Sequence, residues 1–182
     1  MPQEPALTAA EQKLNDVWNE HLRAEFSAHN ADETVATMTA TPSIDEVPVM
    51  IGGNGREEVY EFYAKYFLPQ IPPDIEIVPV SRTIGQGRLV DEIVLRFTHT
   101  MRMDWILPSI PPTGKKVEVA FVVVVQFDGN KMVHEHLYWD QASVLVQLGL
   151  LEAGGLPVVG AEGARSLLDR NIRLNALIRR SV

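Results

Sequence analysis

The sequence predicts an α+β domain in which helices pack on one face of a curved antiparallel sheet. Three observations carry this reading. Apolar residues recur at helical spacing up to about residue 70, then at a spacing of two over residues 75–139, then at helical spacing again near the C-terminus. At 182 residues and 46% hydrophobic, the chain is long enough to bury one real core. Residues 1–150 read as the α+β body and residues 151–182 as a C-terminal helical extension.

Thr8 and Glu11 have the form of a capping box, and Leu14, Val17, Trp18, Leu22 and Phe26 follow at helical spacing, so a first helix runs to about His29. Asn30 or Asp32 caps a short second helix through Val35 and Met38, which Pro42 ends. Residues 44–51 read as a short strand. Gly52-Gly53-Asn54-Gly55 is a turn into a third helix, with Val59, Phe62, Tyr63, Tyr66 and Phe67 on one side and Pro69, Pro72 and Pro73 closing it. Residues 75–84 and 89–105 are strands joined at Gly85-Gln86-Gly87. Residues 108–114 form an irregular proline-rich loop. Residues 117–127 are a long strand whose valines predict burial on both faces, and Asp128-Gly129-Asn130 turns the chain into a last strand over 132–139. Residues 141–150 are helical with Asp140 as N-cap, Gly154-Gly155 breaks the helix, and residues 161–180 form a final amphipathic helix.

Several classes of function are excluded or disfavoured. Without cysteine there is no disulfide framework, thiolate metal site or cysteine nucleophile, and no Gly-x-Ser-x-Gly elbow supplies a serine in its place. The longest apolar run, residues 119–125, is too short to cross a bilayer. Met1-Pro2-Gln3-Glu4-Pro5 lacks the basic and apolar regions of a signal peptide, so a soluble cytoplasmic chain with no membrane partner is expected. A net charge of -8 without a basic cluster argues against nucleic acid. From Ala161 onward five arginines face Glu162 and Asp169, so this tail is +3 and the first 160 residues carry -11. Opposite signs predict that the tail packs on an acidic body, its own or a partner subunit's, or else stays a solvated basic helix.

The order helix, helix, short strand, Gly-rich turn, helix, four-strand meander resembles the NTF2-like fold. Gly52-Gly53, the Phe62-Tyr63 pair, Pro111-Pro112-Thr113-Gly114-Lys115 and His134-Glu135-His136-Leu137-Tyr138-Trp139-Asp140 make the chain similar, within that fold, to the SnoaL-like group that includes polyketide cyclases. The likeness covers residues 7–150. It implies a cone-shaped apolar cavity, a homodimer, and a pocket carboxylate serving as acid or base, while one fold hosts many reactions. Cyclases of the group pair a strand histidine with an aspartate on the final strand, and the corresponding stretches here offer Val123 and Leu137. Ketosteroid isomerases of the same fold carry a basic aspartate before the Gly-rich turn and an oxyanion tyrosine on the first helix. Those positions fall on Glu46 and Leu22.

Alternation along the strands gives the expected pocket. Over residues 89–105 the interior set is Ile93, Leu95, Phe97, Met101, Met103 and Trp105, with His99 on the same face. Phe121 and Val123 continue it on the next strand, and Leu137 and Trp139 share theirs with Glu135. Burial raises a carboxyl pKa and lowers that of a histidine, bringing both toward neutral pH, where proton transfer is most useful. Glu46, His99 and Glu135 are therefore the candidate catalytic residues, and Trp18 and Tyr63 candidate hydrogen-bond donors in the pocket wall. Each has a structural alternative: a hydrogen-bonded core histidine, a carboxylate paired with a buried arginine, a solvated acid beside Asp45. His134 and His136 place two imidazoles on one strand face, but no third ligand is evident, so no metal is expected.

The expected function is an acid-base enzyme without cofactor, of cyclase, isomerase or dehydratase type, acting on a small hydrophobic carbonyl or cyclic compound. Glu46 or Glu135 would abstract a proton, and His99 would donate one or polarise a carbonyl. The alternative is a non-catalytic module binding a hydrophobic ligand, or an accessory subunit. A third reading gives the outer sheet face (Arg96, Thr98, Thr100, Arg102) and the basic tail to subunit assembly.

Overall fold

The capping box forms as the sequence predicts: the Glu11 amide donates to Thr8 and the Thr8 amide to Glu11, opening α1 (Ala9–Arg23). The computed structural model describes residues 6–179, so the expectations on Met1 to Pro5 and on Arg180 fall outside the described residues. Helix α1 buries Leu14, Trp18 and His21 and widens into a π-helical turn, Ala24–Ala28, which buries Glu25. Asn30 caps α2 (Ala31–Ala36). The third helix, α3 (Arg56–Glu61), widens in the same way over Phe62–Phe67.

Among the described residues six strands form one sheet: β1 (Met38–Glu46), β2 (Ile51–Asn54), β3 (Glu76–Gly85), β4 (Arg88–Thr98), β5 (Lys116–Asp128) and β6 (Lys131–Trp139). Their order is β2-β1-β6-β5-β4-β3, antiparallel throughout except for the parallel pair β1·β6. Helices α1 and α3 lie on the concave face, whose middle is built from Leu89, Asp91, Leu95, Phe121, Val123 and Glu135. After β6, Asp140 accepts from the Ser143 amide and starts α4 (Gln141–Leu148), as expected. Among the described residues no helix is long and apolar enough to cross a membrane.

Six local expectations are corrected. Pro42 does not end a helix; it lies within β1, where the register with β6 shifts between Met38 and Ser43 and no ladder amide is required. Residues 44–51 are not one strand, because the chain reverses between β1 and β2. Gly52 and Gly53 lie inside β2, and a Cβ on Gly53 would come within 2.6 Å of the α3 backbone at Glu58 and Val59. Strand β4 stops at Thr98, paired with Lys116, because beyond that point its neighbour would be the proline-rich loop. Strand β5 buries one face, not two: Val117, Val119, Phe121, Val123, Val125 and Phe127 point inward while Val122 is exposed. The last helix, α5 (Glu162–Leu168), is far shorter than expected, since Asp169 takes the Asn171 amide into a side-chain turn. The tail does meet an acidic body, and it is its own, with Arg165 Nε donating to Glu118 at 3.0 Å.

Candidate active site

The buried stripe of α1 delivers His21 to the concave face of the sheet. Its ring stacks on Trp18 at 5.5 Å and meets Tyr63 edge-on at 5.8 Å. Nδ1 lies 2.7 Å from the Thr37 hydroxyl, which donates its own hydrogen to the Thr34 carbonyl at 2.7 Å. Thr37 therefore accepts from His21, and Nδ1 carries a hydrogen. Nε2 faces Glu25 Oε1 at 3.1 Å, the Tyr63 hydroxyl at 3.1 Å and Glu135 Oε2 at 3.5 Å, and that hydroxyl donates to Glu135 at 3.2 Å. Burial alone would lower the His21 pKa, but the field of Glu25, joined by Glu135, holds it up at about 10. Glu25 and Tyr63 both sit in the π-helical turns. Such turns are rare and frequent at functional sites.

Glu46 is the last residue of β1, opposite Leu137 in the register and one inward-facing step beyond Ile44, the partner of Glu135. It is 0% exposed, and neither carboxyl oxygen has a hydrogen-bond partner. Burial first, then the charges of Glu135, Glu25 and Asp45, push its carboxyl well above the usual carboxylate range, which favours the neutral form. The cavity it faces is also lined by Trp18, Glu25, Asp91, Trp105, Phe121 and Glu135. Asp91 is already committed: both its oxygens take Arg82 donors at 2.6 Å, and Trp18 Nε1 adds a third bond at 2.7 Å. Free space amounts to about 50 Å³. That is room for roughly three or four waters, well short of the ~300 Å³ of a typical ligand site. Leu22, Phe26, Ile77, Ile93 and Leu137 line it too and are only half-buried, so they form its mouth.

The structure brings together two of the three expected catalytic residues. Glu46 and Glu135 line one cavity with Trp18, Leu22, Trp105, Phe121, Val123 and Leu137. His99, Met101 and Met103 do not line it. They follow the end of β4, and His99 is held by its backbone against Lys115, Thr113 and Gly114 with Nδ1 3.2 Å from the Thr113 hydroxyl. Tyr63 stands behind the wall, bonded to Glu135, and Trp139 stacks on Phe121 at 4.9 Å. His134 and His136 stack on the convex face at 4.1 Å. Sequence reasoning missed His21 and Glu25. The signal was present, since Leu14, Trp18, His21 and Glu25 recur at steps of four, three and four, the spacing of a buried helical stripe.

The family model of SnoaL-like polyketide cyclases matches residues 8–148. No curated protein matches the chain. Solved structures do: a protein assigned as a SnoaL-like polyketide cyclase from Jannaschia sp. CCS1 is 17% identical, with a TM-score of 0.63 over 82% of this chain and 100% of that one. AclR from Streptomyces galilaeus, assigned as a hydroxylase, is 17% identical, with a TM-score of 0.59 over 78% and 88%. A protein assigned as a polyketide cyclase from Acidithiobacillus ferrooxidans is 19% identical, with a TM-score of 0.58 over 79% and 98%. At such identities the likeness speaks for the shared fold.

Proposed function

The chain belongs to the SnoaL-like polyketide cyclase family, and from that premise we propose an enzyme that moves protons on a small carbonyl compound. The observation that carries this reading is Glu46: a fully buried carboxyl with both oxygens unpartnered at the wall of an aromatic cavity, its pKa raised by burial so that it can hold a proton to give. A buried polar group without a partner costs stability, and a substrate carbonyl is the partner it lacks. Glu46 donates its proton to the carbonyl oxygen while Glu135 takes the neighbouring C–H proton. The C–H electron pair becomes the enol double bond, and the carbonyl π pair becomes the new O–H bond. His21 and Tyr63 position Glu135. The enol can then close a ring, return its proton at another carbon, or expel a β-hydroxyl, which are the cyclase, isomerase and dehydratase outcomes. The narrow cavity admits one carbonyl-bearing end of a substrate, with the remainder at the mouth formed by Leu22, Phe26 and Ile93.

The test is hydrogen-deuterium exchange at the α-carbons of small ketones and 1,3-diketones in D₂O, followed by NMR. The wild type accelerates exchange, and Glu46→Gln loses 10²- to 10⁴-fold of that rate with the fold intact. An unchanged rate in the variant removes Glu46 from the chemistry. The small volume favours a second reading, a non-catalytic binding module, which binding of the same ketones without exchange would support. The assembly we infer is a homodimer through the convex face, where Val122 and Tyr138 are exposed. A monomeric mass in solution would remove that part.

A further inference from the structure

The triad His21, Glu25 and Glu135 has a capacity that these proton transfers leave unused. We propose that it binds one divalent first-row metal ion, of the Mn²⁺, Fe²⁺ or Zn²⁺ kind, through His21 Nε2 and one oxygen each of Glu25 and Glu135. Donors bound to such an ion at about 2.1 Å stand roughly 3.0–3.5 Å apart. Nε2 stands 3.1 Å from Glu25 Oε1 and 3.5 Å from Glu135 Oε2, and all three ligand atoms lie within 4.8 Å of one another. The tautomer is right for it. Thr37 fixes the hydrogen on Nδ1, which leaves Nε2 as the ligand atom, the arrangement found around metal-bound histidines. Trp18 stacked on the ring and Tyr63 against its edge hold its orientation.

Charge points the same way. Two carboxylates, a neutral imidazole and a dication sum to zero, which spares the buried site a net charge. A mixed imidazole and carboxylate set without thiolate suits Mn²⁺, Fe²⁺ or Zn²⁺. Glu46 supplies the independent observation: it is fully buried, unpartnered and faces the cavity that Glu25 and Glu135 line. The free space has room for water. The site does not depend on the acid-base reading, because a chain that never exchanged a ketone proton would still take up the ion.

The experiment strips the full chain with a chelator, then titrates Co²⁺ by visible absorption and Zn²⁺ by calorimetry. One equivalent binds, with a raised Tm. Glu25→Gln and Glu135→Gln each weaken binding by more than about 100-fold, beyond what outer-shell changes cost, and Thr37→Val weakens it by about 10- to 100-fold. Circular dichroism of the unloaded variants verifies the fold, and the two glutamate variants serve in place of each other should one not fold. Absence of binding at a one-to-one ratio, equal affinity in the glutamate variants, or loss of binding on His136→Ala instead overturns the proposal.

Discussion

Two buried carboxylates face the same cavity from different strands and meet opposite fates. Asp91, on β4, has both oxygens filled by Arg82 and a third bond from Trp18. Glu46, on β1, has none. Both are buried carboxyl groups, so the contrast lies in the partners. Asp91 is a charge neutralised in place, which fixes α1 to the sheet through Trp18 and through Arg82, itself bonded to Asn15 and Asn19 at 2.8 Å. Glu46 is a carboxyl whose burial favours the neutral form, left without a partner at the cavity wall.

Removing the lock is expected to have the largest effect on stability. Arg82→Met strands Asp91 as an uncompensated buried charge and should cost about 3–5 kcal/mol, seen as a fall of roughly 10 °C or more in Tm. Arg82→Met with Asp91→Asn should recover much of that loss. A single variant as stable as the wild type would erase the distinction between the two walls.

The same treatment of Glu46 should have the opposite sign. Its folded pKa is raised above the unfolded value, so the native state holds a proton that the unfolded chain has released once the pH passes about 4.5. Stability therefore declines as pH rises from the unfolded pKa toward the folded one. Glu46→Gln removes that decline. It should match the wild type near pH 4 and melt higher above pH 8, by on the order of 3 °C, equivalent to about 1 kcal/mol for a chain of this size. A variant less stable at every pH would mean that Glu46 is satisfied and not poised.

Much of the fold could be read from the sequence because its signals are local. The Thr8–Glu11 box, the Asp140 cap and the alternation through Phe97 each depend on residues within a few positions of one another. What could not be read was non-local. Whether β4 continues past Thr98 is decided by the proline-rich loop that precedes β5, and Pro42 is tolerated because of a register shift against β6. Glu135 could be placed on the inner face by the parity of its strand, and Glu46 by the resemblance to ketosteroid isomerases, and both line the cavity. His21 and Glu25 were not found, because attention to the apolar residues of α1 concealed the polar members of its buried stripe.

His99 is where alternation misled, and it gives the smallest expected effect. It is as buried as His21, yet no carboxylate adjoins it, burial lowers its pKa, and Nε2 has no partner. Its backbone does the structural work, donating to Lys115 and accepting from Thr113 and Gly114. A side-chain change leaves those bonds in place. His99→Gln is expected to keep α-proton exchange within about twofold of wild type while losing about 1 kcal/mol with the Thr113 contact. A drop of 10² in rate at unchanged Tm would return His99 to the mechanism and show that the loop after β4 opens toward the cavity. Burial creates the capacity for acid-base chemistry, but an approach to the substrate decides whether it is used, and His99 lacks that approach.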